Sequence, residues 1–556
     1  KADGYQMVEN PVALAHEIDI RNKSSRMNFN ANITYDILKQ LQFKANLGTQ
    51  YYTSRYNYYR PRTVGQDGDM PNSDAIQARV KARDITNRDV DRLGEFTLNY
   101  NGEYGKHRLN ALVGYTLQKK TYDRVAIEAT GFPDDRIHEV TAHGPNASDV
   151  GLYSSDTRKA AWTMMSYLAR VNYSFDNRYV VTGTVRTDGS SRFGQENRWG
   201  WFPSISLGWT VSNEKFYQNL LGNNSSFKLR ASWGLSGNNN IGNYEHIALL
   251  SYNQYVLGKG EGTLVSGLRP SQLPNDDLSW EKTRMYNVGL DVGLFKDRLT
   301  FELDLYQSNT YDLLLDVPIP QITGFSDMRK NIGEVRNRGV EFTVGTHNNW
   351  NGFKWDASFN ISANRNKVLK LGPEDAPIIT SAGVSHAYFK TEVGQPIGNY
   401  FLLIQDGVFK SQEELDAYPH FSNAKVGDFK FVDADGNGKM DLDDDRAIVG
   451  NYMPKFTYGF MSSFSYKGVD LSFNLQGVQG NKILNLQRRY IANMEGNVNS
   501  MSLALDRFQS TENPGNGQVN RANRKSTGNN SRTSTWHLEN GSYLRMQNIT
   551  LGYTLP

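Results

Sequence analysis

The stretch from Met27 to Asp36 constrains this chain more than any other. Met27, Phe29, Ala31, Ile33 and Tyr35 alternate without a lapse with Asn28, Asn30, Asn32, Thr34 and Asp36. A side-chain period of two places the apolar groups on one face of a β-strand and the polar groups on the other. After a short connection, Ile37–Gln40, the alternation resumes with Leu41, Phe43, Ala45, Leu47 and Tyr51, broken only at Thr49. The two runs predict a hairpin whose register is pinned by its apolar face.

The pattern recurs along the chain. Phe96–Tyr100 leads through Gly102–His107 to Leu109–Leu117, and Leu168–Phe175 turns at Asp176–Arg178 into Tyr179–Val185. Leu290–Phe295 turns at Lys296–Arg298 into Leu299–Tyr306, and Phe456–Tyr466 turns at Lys467–Gly468 into Leu471–Leu475. About 15 such strands fit between Arg26 and Leu555, most near the ~9–11 residues that a tilted strand needs to cross a bilayer. Between the tight turns lie long polar stretches: Pro61–Asp91, Val125–Lys159, Gly237–Ser279, Leu369–Met453 and Gln487–Glu539. Short and long connections in alternation are expected of an outer-membrane barrel, with short periplasmic turns and long extracellular loops. A soluble sandwich or propeller carries no such requirement. The predicted fold is all-β: a transmembrane, antiparallel, up-and-down β-barrel with an apolar outer face and a polar interior.

Composition agrees once the alternation is known. Mean hydropathy is −0.60, because lipid-facing and lumen-facing residues cancel in any window. No apolar run approaches the ~20 residues of a membrane helix. With 61 Lys+Arg against 58 Asp+Glu, the net charge of +3 gives no pull toward nucleic acid. Cysteine is absent, which excludes disulfides, thiolate metal sites and thiol nucleophiles.

Several longer stretches carry a family resemblance. Arg186–Gly194, Asn197–Trp209, Ser212–Phe216, Phe227–Asn238, Trp280–Thr283, Asn337–Glu341, Asp433–Arg446, Pro454–Phe460 and Gly541–Pro556 resemble the barrel of SusC-like TonB-dependent transporters, in the family's order. The resemblance runs from about Asn10 to Pro556. It implies a 22-stranded barrel plugged by an N-terminal domain, in the outer membrane of a Bacteroidota-like Gram-negative cell. It further implies a SusD-like surface lipoprotein as lid and the TonB–ExbB–ExbD complex as the source of energy, acting through the plug. The expected task is import of an oligosaccharide, or of a peptide. Residues 1–556 then form one partial barrel, with the plug and the barrel ends outside the chain and with 405–452 as an extracellular loop.

That loop holds the sharpest motif. Asp433, Asp435, Asn437, the Lys439 carbonyl, Asp441 and Asp444 fall at positions 1, 3, 5, 7, 9 and 12 of an EF-hand-like loop, with Gly438 at the bend. Hard oxygen ligands at alternate positions suit Ca²⁺ as a structural staple; an acidic surface turn is the plainer alternative. For substrate, Tyr56, Tyr58, Tyr59 and Trp199 are candidates, since their rings could stack on sugars or grip a peptide. The competing role is an aromatic girdle or packing at the loop base. The sequence holds no H-E-x-x-H, G-x-S-x-G or phosphate-cradling motif, so no enzyme is expected. A secreted or surface β-rich carbohydrate-binding adhesin is the remaining alternative.

Overall fold

The structure, a computed structural model, describes residues 10–555 except 66–69, 78, 133, 137, 139, 141–152, 259–261, 326, 384–386, 497–499 and 525–526. After a short helix, Pro11–Glu17, fifteen strands form one antiparallel sheet. They are β1 (Asp19–Leu38), β2 (Leu41–Arg60), β3 (Lys81–Tyr104), β4 (His107–Thr130), β5 (Tyr153–Phe175), β6 (Tyr179–Ser190), β7 (Trp199–Thr210) and β8 (Ser226–Asn238). β9 (Glu281–Leu294), β10 (Leu299–Pro318), β11 (Asp327–Trp350), β12 (Phe353–Lys370), β13 (Phe456–Tyr466), β14 (Val469–Gln479) and β15 (Tyr543–Tyr553) complete it. Each strand pairs with its successor, the meander of an up-and-down barrel wall. No helix among the described residues is long and apolar enough to cross a membrane.

The tight turns follow from local backbone chemistry. Asn351-Gly352 and Lys467-Gly468 both have positive φ at their two central residues, the conformation that matches a two-residue turn to strand twist. All the tight turns lie at one end of the sheet. One connection breaks the simple rule at that end: residues 211–225, between β7 and β8, carry the helix Lys215–Leu221.

Register makes one surface of the fifteen strands. Leu98 pairs with Phe43 and Val113, Ala111 with Val171, and Val181 with Leu207. Further along, Leu290 pairs with Leu229 and Leu303, Phe342 with Leu303 and Ile361, and Leu471 with Phe464 and Leu551. The apolar positions therefore join into a belt from β1 to β15. Met27, Phe29, Val113, Leu207, Val288 and Leu305 are exposed on it, as a lipid-facing belt requires. The opposite face is polar, with Asn32 opposite Asn46, Asn110 opposite Asn172 and Ser206 opposite Ser232.

The strands are longer than the alternation alone indicates. β2 has 20 residues and β3 and β4 have 24 each, so residues 81–91 of the expected connection Pro61–Asp91, and 125–130 and 153–159 of Val125–Lys159, are strand; residues 141–152 of the latter lie outside the described set. Charge pairs knit neighbouring strands beyond the belt: Arg55–Asp84 at 2.5 Å, Arg88–Asp123 at 2.7 Å and Lys81–Glu128 at 2.6 Å.

The long connections are folded as well. Leu250–Leu257 pairs with Thr263–Pro270, and a four-stranded sheet forms within 378–450. The last two long loops share a core in which Leu403, Phe429, Phe431 and Met440 meet Phe508 and Trp536.

Candidate functional site

Even-numbered residues of β2 and odd-numbered residues of β3 lie on the polar face, and above the belt they line a hollow. Asn22, Tyr52, Ser54, Tyr56, Arg83, Asn87, Tyr122 and Arg124 enclose about 580 Å³ there. The hydroxyl of Tyr122 donates to Asn87 Oδ1 at 3.1 Å, and Asn87 Nδ2 donates to Ser54 Oγ at 3.2 Å. The guanidinium Nε atoms of Arg83 and Arg124 are buried and face carboxylates, Glu128 Oε2 at 3.4 Å and Asp156 Oδ2 at 4.0 Å. Aromatic faces beside guanidinium groups make a surface that can hold a polar chain with alternating apolar and hydroxyl or amide groups.

The four aromatic candidates divide between faces. Tyr56 lines this hollow, and Tyr58, half-buried, shares its face. Tyr59 does not: its odd position turns it to the other face, where it is 3% exposed among Val80, Ala82, Ala129 and Phe132. Its hydroxyl donates to Asp135 Oδ1 at 3.1 Å, and its ring stacks on His138 at 4.2 Å. Tyr59 thus packs at the loop base, the competing role named for it. Trp199 also lies away from the polar face. By the β6–β7 register it falls with Ile205 and Leu207 on the apolar face. It ends a ladder of rings in which Phe96 meets Tyr115 at 6.5 Å, Tyr115 meets Tyr167 at 5.2 Å and Tyr167 meets Trp199 at 6.0 Å. Such a ladder is the girdle of an interface. Tyr52 and Tyr122, which the alternation of their strands could have flagged, take part in the hollow instead.

Lower on the polar face, Arg230 of β8 is gripped by two carboxylates. Its Nη2 lies 2.7 Å from Asp291 Oδ1 and 3.0 Å from Asp304 Oδ2. The residue opposite is Gly289, where an added Cβ would stand 2.6 Å from Arg230 Cζ. The glycine clears room for a charged cross-link on the wall.

The acidic loop folds tightly. Asp433 accepts from the N–H groups of Gly436 and Gly438 at 2.9 and 2.8 Å, and Asn437 Oδ1 accepts from Lys439 N at 2.8 Å. Asp441 Oδ1 accepts from Asp443 N and Asp444 N, both at 2.8 Å. These backbone donors hold the Asp433 and Asp441 carboxyls below the usual range. The carboxylates that converge are Asp433, Asp435 and Asp445. Asp444, the expected twelfth ligand, is exposed. Its neighbour Asp445 is fully buried instead, accepting from Ala434 N at 2.8 Å and Asp441 N at 2.7 Å, and burial pushes its carboxyl up.

The two last long loops are joined by a buried polar cluster. Asp428 receives Arg521 Nε at 2.8 Å and Asn530 Nδ2 at 2.9 Å, and Asn530 Oδ1 accepts from Phe429 N at 2.8 Å.

Comparison with known proteins gives these features a lineage. Residues 10–556 match the model of the TonB-dependent receptor-like β-barrel family. TonB-dependent receptor P39 of Formosa agariphila is 33% identical, over 98% of this chain and 54% of its own length. TonB-dependent receptor SusC of Bacteroides thetaiotaomicron is 35% identical, over 70% of this chain and 38% of its own length. The chain spans about half the length of the Formosa relative it matches. Among solved structures, one described as the RagAB peptide transporter superposes with a TM-score of 0.80 at 27% identity, covering 100% of this chain and 59% of that one. With its fifteen-strand meander, continuous apolar belt and polar inner face, the chain belongs to the TonB-dependent receptor β-barrel family, on its SusC-like side.

Proposed function

We propose that the protein to which this chain belongs imports an oligosaccharide across the outer membrane of a Gram-negative, Bacteroidota-like cell. A SusD-like surface lipoprotein acts as lid, and the TonB–ExbB–ExbD complex supplies the energy. The observation that carries the substrate reading is the inward hollow of Tyr52, Tyr56 and Tyr122 beside the guanidinium groups of Arg83 and Arg124. Tyrosine faces suit the C–H faces of sugar rings, and guanidinium donors suit ring hydroxyls. Deletion of the gene, followed by growth on defined glycans and on peptides, tests it. Loss of growth on a glycan supports the reading; loss on peptides alone overturns it.

A peptide is the second reading, favoured by the likeness to a structure described as a peptide transporter. Peptide amides would use the same donors and rings.

We also propose that Asp433, Asp435 and Asp445, with the Asn437 side chain and the Lys439 carbonyl, hold a structural Ca²⁺ in the acidic loop. Calcium titration of the full-length protein, read as resistance of 405–452 to protease, supports this if chelator loosens the loop and contradicts it if the pattern does not change.

A further inference from the structure

We propose that the outer face of β11 and β12, immediately beyond the apolar belt, binds the phosphorylated headgroup of an outer-leaflet lipid. Register places the site. Val340 of β11 pairs with Ala363 of β12 on the belt; the next two pairs on the same face are Arg338 with Arg365 and Arg336 with Lys367. Lys455 stands at the start of the neighbouring β13. Together these five cations line a hollow of about 530 Å³ with no carboxylate in its wall.

Like charges directly opposite one another weaken a sheet, yet here two such pairs are stacked. None of the five has a carboxylate within 4.0 Å among the described residues, in contrast to Arg55, Arg88 and Lys81 on β2 and β3, which have theirs. Glu334, further out on β11, accepts from Asn309 Nδ2 at 3.0 Å and does not serve them. An anion from outside the chain is what would offset the repulsion. Position decides which anion. The cations begin one residue pair beyond Val340 and Ala363, at the level where acyl chains give way to headgroups. A lipid phosphate there would keep its chains on Val340, Leu305 and Phe342 while its charge met the guanidinium forks, which suit phosphate bidentately. The proposal rests on the long loops facing outward, but not on the identity of the imported substrate.

The test uses the full-length protein in phosphatidylcholine vesicles, with and without a phosphorylated lipid A, and with free inorganic phosphate as a separate arm. The phosphorylated lipid alone is expected to raise the unfolding midpoint and to stay bound through detergent purification. The variant R336Q/R338Q/R365Q/K367Q is expected to retain about tenfold less of it, since each surface cation adds appreciably to the attraction of anionic lipid. The variant R55Q/R88Q, which removes cations that are already paired, is expected to retain as much as the parent. Equal retention by the fourfold variant overturns the proposal, as does equal stabilisation by inorganic phosphate, which would point to a soluble anion. If the fourfold variant does not fold, the parent decides: the same midpoint in both vesicles contradicts the site. Substrate uptake is expected to survive in the fourfold variant, so a failure of this inference is separable from a failure of the import reading.

Discussion

Asn530 reaches from one long loop into the next and donates from Nδ2 to Asp428 Oδ1 at 2.9 Å, with both side chains fully buried. Its other end accepts the Phe429 N–H. Asn530→Ala leaves a buried carboxylate and a buried amide short of partners, at a cost of about 1–3 kcal/mol. We expect faster protease cleavage within 405–452 and 487–539 while the barrel keeps its heat-modifiable migration. An unchanged cleavage pattern would mean that the two loops do not depend on this contact.

Acid should loosen the same loops. His537 is fully buried, its Nδ1 accepts from Ser534 N at 3.2 Å, and burial pushes its pKa down to about 4 from an ordinary 6.5. Above 6.5 both folded and unfolded loop carry it neutral, and it adds no pH dependence. Between 6.5 and about 4 the unfolded form takes a proton that the folded form refuses, so stability falls as pH falls. The full effect is of order 3 kcal/mol. Protection factors around Ser534–Asn540, observed exchange measured against the intrinsic rate at each pH, should fall from pH 7 to pH 5, and His537→Gln should flatten much of that dependence. The same slope in His537→Gln would assign it elsewhere.

On the lumen wall, Arg230→Ala strands Asp291 and Asp304 near one another. These groups are about a third exposed or less, so water screens part of the loss and we expect about 1 kcal/mol. Urea unfolding of the full-length protein from vesicles measures it. The triple variant R230A/D291N/D304N should recover part of the loss, and a triple variant no better than the single one would show that charge is not the cause.

Substrate contact should follow the face on which a ring lies. Tyr56→Ala and Tyr122→Ala should each weaken substrate binding by about 1 kcal/mol, roughly fivefold, whereas Trp199→Ala should leave binding unchanged. Titration of the purified transporter with its transported substrate distinguishes them. A loss at Trp199 equal to that at Tyr56 would contradict the assignment of faces.

The middle of each strand was legible because one side meets lipid and the other water, and Met27–Asp36 writes that difference into alternate residues. Strand ends were not: beyond the belt charged residues such as Arg55 and Arg88 interrupt the apolar face, and the partners Arg55 and Asp84 lie too far apart in sequence to be recognised as a pair. Tyr56 and Tyr59 looked alike in composition, and only unbroken register from Leu47 upward separates their faces. In the acidic loop, spacing indicated Asp444, but the burial of Asp445 depends on the N–H groups of Ala434 and Asp441, which the motif does not encode. The shared loop core was hidden too, since Phe429 and Trp536 meet only after the intervening strands have paired.

The central claim is that one face of every strand meets lipid and the other lines an aqueous interior. Cysteine is absent from these 556 residues, so single cysteines from Leu109 to Leu117 of β4 report cleanly in the full-length protein in membranes once every cysteine elsewhere in it is replaced by serine. The account predicts a period of two: Leu109, Ala111, Val113, Tyr115 and Leu117 positions label only with a lipid-soluble thiol reagent, and Asn110, Gly114 and Thr116 positions label with a water-soluble one. Uniform aqueous labelling at all of them would contradict it.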